Sequence, residues 1–144
     1  LEWIQRINFT KDGTSSILGK GPDNRDYNTE NFESNWYWTK GTKEQLLVII
    51  SKRPVSYISF KLTSGFINNQ VILQDDEIIN LIKNGAPKLV KIKPKLKHKF
   101  YDTYYYEFTL KPKYSFIPKE VTPNARNDVR NLGVSLSNFD LQYE

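Results

Sequence analysis

The sequence predicts an all-β domain, a two-layer antiparallel β-sandwich of jelly-roll-like type, and three observations carry that prediction. Its large side chains are mostly aromatic, with 9 Tyr and 8 Phe inside a modest 38% apolar share, a balance that suits pleated, half-buried surfaces better than helices. Roughly eight to ten short apolar runs follow one another at the 8–12-residue spacing of an all-β fold, parted by turn residues. A length of 144 residues matches a single domain, 1–144, with one sizeable core.

Leu1, Trp3, Ile7 and Phe9 recur on odd positions and read as a first strand. Residues 10–33 are polar, and Gly13, Gly19, Gly21 and Pro22 mark a long loop with a short strand near Ile17-Leu18. Trp36-Tyr37-Trp38 leads through a Lys40-Gly41 turn into a strand at 45–51, whose unbroken run from Leu46 to Ile50 predicts burial on both faces. Residues 57–63 alternate cleanly, with Ile58, Phe60 and Leu62 on one face and Ser59, Lys61 and Thr63 on the other. A shorter strand follows at 71–73.

Residues 75–85 carry two signals: acids at the start with Lys83 and Gly85 at the end suit a helical turn or two, while Asn84-Gly85 suits a hairpin. Further strands are expected at 89–92, 104–110, 114–117, 132–136 and 139–141. Alternation directs Tyr104, Tyr106, Phe108 and Leu110 into the core and Tyr105, Glu107 and Thr109 outward. Val134 and Leu136 complete the expected core with Ile58, Phe60 and Leu62.

Several function classes fall away on composition. Without cysteine there is no disulfide framework, thiolate metal site or thiol nucleophile, and the redox compartment stays open. Methionine is also absent and Leu1-Glu2-Trp3 lacks signal-peptide character, so a piece from within a longer polypeptide is expected. No apolar run approaches the roughly 20 residues that span a bilayer. His98 is the only histidine, sits among lysines and has no serine elbow beside it, which reads as a solvated side chain. Asp75, Asp76 and Glu77, like Asp23 and Asp26, read as solvated loop acids; Asp23-Asn24-Arg25-Asp26 does not follow an EF-hand spacing. Neither a catalytic set nor a metal or other cofactor is expected.

Binding chemistry is better represented. An exposed aromatic beside polar groups can stack on the apolar face of a sugar while its edge is hydrogen-bonded, and Tyr37 and the pair Tyr105 and Glu107 fit that pattern. The plainer reading is a scatter of exposed tyrosines, which is normal in sheets. Lys91, Lys93, Lys95, Lys97 and Lys99 fall at period two, which on one strand would make a row of positive charge for an acidic glycan or lipid phosphate. Nucleic acid is a poorer fit, because no helix-turn-helix or RNA-binding signature accompanies the charge. Against all of these stands edge protection, in which lysines and Pro94 keep a strand edge from pairing with other chains.

Two patches carry a family resemblance. The tail from Pro123 to Leu136, with Asp128-Val129-Arg130-Asn131-Leu132-Gly133 at its heart, and the stretch Asn35-Trp36-Tyr37-Trp38-Thr39-Lys40-Gly41 followed by Leu46 and Val48, are the residues concerned. The first resembles the closing strand, and the second the aromatic-Thr-x-Gly lead-in to a long strand, of a β-sandwich accessory domain found with bacterial surface-polysaccharide glycosyltransferases and other cell-envelope proteins. The resemblance implies a jelly-roll-like, carbohydrate-binding-module-like domain in the cell envelope, more on its extracytoplasmic side, close to the membrane and to a neighbouring domain of its parent protein. Its partner would be glycan or lipid-linked glycan. Asp128 and Arg130 then read either as a glycan-binding pair or as a clamp on the loop before the last strand. The rival class is a structural docking domain that packs on its parent and never meets sugar.

Overall fold

The computed structural model describes residues 7–8, 15–18 and 36–144, with side chains from Trp38 onward. Eleven strands among these residues form two sheets, and every pairing is antiparallel. The first sheet runs β1 (Ile7–Asn8), β2 (Ser15–Leu18), β4 (Gln45–Ser51), β10 (Thr103–Pro112), β6 (Asn69–Leu73), β7 (Ile78–Leu81). β9 (Lys95–Phe100) shares with β6 the side of β10 that β4 leaves open: β9 takes its first half and β6 its last residues. The second sheet runs β3 (Trp36–Lys40), β11 (Leu132–Tyr143), β5 (Val55–Thr63), β8 (Lys88–Ile92). One helical turn, α1 (Pro118–Val121), precedes β11.

The two sheets close over one core, as the alternation predicts. Leu47, Ile49, Tyr106, Phe108 and Leu110 from the first sheet meet Ile58, Phe60, Leu62, Val134 and Leu136 from the second, all buried. The Phe60 ring stacks on Phe108 at 5.7 Å between centroids, one ring from each sheet. Tyr106 lies inward with its hydroxyl accepting the Val55 N–H at 2.9 Å, so a polar bond also ties the sheets together. Tyr104, expected in the core, is only partly buried at its margin.

Several elements depart from the sequence reading. In β4 the inward positions Gln45, Leu47, Ile49 and Ser51 are buried, because they face the other sheet; Leu46, Val48 and Ile50 are half-buried on the outer face. Residues 75–85 form no α-helix: a 3-10 turn at Gln74–Asp76 leads into β7, where Ile79 pairs with Val71. Residues 114–117 contribute a single bridge, Phe116 to Leu132, rather than a strand. The strands expected at 132–136 and 139–141 are one strand, β11, with an irregularity between Ser137 and Asp140. Of the first strand expected from Leu1, Trp3, Ile7 and Phe9, only Ile7–Asn8 is among the described residues.

Candidate functional site

The lysine row is corrected by the fold. Lys91 belongs to β8, the edge of the second sheet, and Lys95 and Lys97 to β9 in the first, so the chain changes sheets at Lys93-Pro94. A β-bulge between Tyr105 and Tyr106 leaves Lys97 as the extra residue of β9 and reverses the face of everything beyond it. His98 therefore sits opposite Tyr105, and Lys95 opposite Glu107, on the outer face, while Lys99 falls on the inner side opposite Tyr104. Its ammonium lies over the Tyr104 ring at 5.1 Å. A continuous ladder from Lys91 to Lys99 does not exist, because a proline crossing and a bulge each break the period.

What remains is a smaller cluster on the outer face of the β9–β10 hairpin: Lys95, Lys97 and His98 beside Tyr105 and Glu107. Lys97 reaches Glu107 at 4.0 Å, and Lys95 pairs with Asp75 at 3.1 Å from the turn after β6. All six residues of β9 are exposed, so these groups meet solvent at modest Coulomb strength. Tyr105 and Glu107 are half-buried and held by the β10 ladder, with Tyr105 opposite Ile50 and Glu107 opposite Val48 on β4. The face thus combines two ammonium groups, an imidazole, a phenol and a carboxylate. Such a set can grip an acidic sugar by charge and its hydroxyls by hydrogen bonds.

The other candidates lie elsewhere. Lys91 places its ammonium over the Tyr57 ring at 4.3 Å on the second sheet. The backbone carbonyl of Lys93 accepts a hydrogen bond from the Gln74 side chain at 2.6 Å. Tyr37 pairs with Leu136 through the β3–β11 ladder, and its side chain is outside the described residues, as are Asp23 and Asp26.

Asp128 and Arg130 hold each other. The Arg130 guanidinium donates to both Asp128 carboxylate oxygens at 2.9 and 2.7 Å, and the Arg130 backbone N–H donates to one of them at 3.2 Å. The Asp128 carbonyl accepts from Lys119 N–H of α1 at 2.9 Å, so the clamp fastens the loop to the helical turn. Hydrogen bonding from the Arg130 side chain holds the Asp128 carboxyl below its ordinary range, against a smaller opposing effect of burial. An open depression of about 600 Å³ beside the pair is lined by residues 124–130 alone. It is the surface of one loop, not a cleft between elements.

The two motif patches meet in space, which the sequence could not say. Gly41 N–H donates to the Asn131 carbonyl at 2.8 Å, and the buried Thr39 hydroxyl accepts the Val134 N–H at 2.9 Å. Gly133 sits between them: a Cβ there would lie 2.5 Å from both the Gly41 carbonyl and the Thr39 hydroxyl. Thr39, Gly41 and Gly133 are therefore a joint between β3 and β11. Asn69, which sequence reasoning passed over, is a second one. It donates to the Tyr114 carbonyl at 2.9 Å and accepts the Tyr114 N–H at 3.0 Å, tying the segment after β10 to β6.

Among the described residues no group of three or more His, Cys, Asp or Glu side chains gathers as a metal site, and no helix is long and apolar enough to cross a membrane. No family model, curated protein or solved structure matches the chain.

Proposed function

We propose that this domain is a non-catalytic, jelly-roll-like binding module that contacts acidic glycan, free or lipid-linked, as an accessory part of a bacterial envelope-polysaccharide glycosyltransferase or a related envelope protein. One observation carries the reading: Lys95, Lys97 and His98 stand beside Tyr105 and Glu107 on a single outer face. The net charge of +5 favours the same class of partner. The motif resemblance supplies the envelope setting. In this role Tyr105 would offer its ring to a sugar, Glu107 would accept from hydroxyls, and the lysines would meet carboxylates or phosphates.

The test is titration of acidic and neutral oligosaccharides at low and high salt. Acidic ligands should bind at low salt, lose affinity steeply as salt rises, and lose it again in Lys95→Glu/Lys97→Glu with the melting temperature kept. No acidic-glycan binding at low salt would overturn the reading. A second reading, docking on the parent protein, is favoured by a different observation. Ile72 and Ile78, 39% and 55% exposed, face each other across β6 and β7. It gains if the glycan arm fails and Ile78→Ser abolishes association with the adjoining domain.

A further inference from the structure

The tip of the β9–β10 hairpin is built in a way that glycan binding does not require. Phe100 pairs with Thr103, so Tyr101 and Asp102 make a two-residue loop. Phe100 is 66% exposed and Tyr101 85%, and their rings meet edge to face at 4.6 Å in solvent. Two adjoining aromatics turned into water forgo the burial that drives such side chains inside. Tyr101 also has φ 56, a left-handed conformation that glycine or asparagine adopts at much lower cost than a bulky side chain. A tyrosine held there at conformational expense points to a use for its ring.

Charge surrounds this tip. Ser51 pairs with Tyr104, which brings the turn after β4, with exposed Lys52 and Arg53, to the same end of the molecule. Lys99 lies one residue behind Phe100, and Lys97 and Lys95 follow along β9. At about 3.3 Å per residue, Lys97 stands about 10 Å behind the tip, and ring burial of 5–10 Å would bring the lysines to headgroup level. Among the described residues, the opposing charges at this end are Asp102, Glu107 next to Lys97, and Glu144, whose N–H is bonded to the Pro54 carbonyl.

We infer that this end of the domain docks on an anionic phospholipid surface, with Phe100 and Tyr101 entering the interface and Lys52, Arg53, Lys97 and Lys99 meeting lipid phosphates. The inference goes beyond the glycan reading and needs no sugar. Cation-flanked aromatics are the pattern of interfacial anchors, because aromatic rings settle at headgroup depth while the basic groups are attracted to anionic lipid.

The test is co-sedimentation of the whole chain with sugar-free vesicles of phosphatidylcholine, alone or mixed with phosphatidylglycerol. Binding should require phosphatidylglycerol and fall with salt. Phe100→Ser/Tyr101→Asn should keep the melting temperature, since asparagine suits the left-handed position, and reduce partitioning at least about tenfold. Lys52→Gln and Lys99→Gln should each reduce it by about fivefold. The chain has no cysteine, so Asp102→Cys accepts a single polarity-sensitive fluorophore, whose emission should shift to the blue on vesicles. Absence of binding to phosphatidylglycerol vesicles at low salt, or equal binding by the folded Phe100→Ser/Tyr101→Asn variant, would overturn the inference. Neither result touches the glycan titration in solution, where Lys95→Glu/Lys97→Glu is decisive.

Discussion

Arg130 shows how far a single side chain can be read before its surroundings are known. A clamp on the loop is one of its two sequence readings, and its guanidinium does hold Asp128, but at the surface, with the two side chains 43% and 26% exposed. Exposed pairs contribute 1 kcal/mol or less, so Arg130→Ala should cost under about 1 kcal/mol rather than the 1–3 of a buried charged hydrogen bond. Because Asp128 titrates below its ordinary 3.8 in the folded state, its contribution is present above that value. The contribution fades as pH falls through the lower folded value. The melting-temperature gap between the parent chain and Arg130→Ala should therefore be visible at neutral pH and close on strong acidification. Thr39 is the contrasting case. It is fully buried and its hydroxyl accepts the Val134 N–H, so Thr39→Val keeps the shape but strands a buried donor, and about 1–3 kcal/mol should appear as a lower denaturant midpoint. An unchanged midpoint would mean that water reaches that N–H.

At the scale of elements, strands with strict alternation were legible and strands that change parity were not. β5 and β10 announce their inner faces through Ile58, Phe60 and Leu62 and through Tyr106, Phe108 and Leu110. In β11, inward positions pass from Val134 and Leu136 to Phe139, an odd step that reads as two strands. Asn138 makes the step: its φ of 55 places an extra residue in the ladder and returns Phe139 to the core. Asn138→Gly should leave stability within a few tenths of a kcal/mol, whereas Asn138→Val should cost about 1–2 kcal/mol, since a β-branched residue resists the left-handed region. Thermal unfolding of the two variants checks this. β9 escaped notice for another reason. Its lysines have weak strand preference, and its hairpin signal, two residues between Phe100 and Thr103, lacks the usual glycine. The candidate face was half legible for the same cause. Tyr105 and Glu107 were placed outward from alternation, but no pattern in Lys91 to Lys99 reveals that Pro94 divides the lysines between sheets.

For the whole molecule, the question is whether the two sheets stand or fall together. Their contact is centred on Phe60 from β5 and Phe108 from β10, each nearly without exposure and stacked with 22° between ring planes. Either ring replaced by alanine should cost about 3–5 kcal/mol, the range for a buried phenylalanine. A total stability of about 5–15 kcal/mol leaves room for one such loss but little for two independent ones. The rings touch, however, so the second truncation removes contacts that the first has already broken. The double variant should therefore fall short of the sum of the singles by about 0.5–1.5 kcal/mol, the surplus that aromatic pairs show beyond area burial. Urea unfolding of the parent chain, both single variants and the double variant closes that cycle. Tyrosine fluorescence and far-ultraviolet circular dichroism should give one transition in each. Strict additivity, or separate transitions for the two probes, would mean that each sheet is held by its own neighbours and that the Phe60–Phe108 stack is contact without coupling.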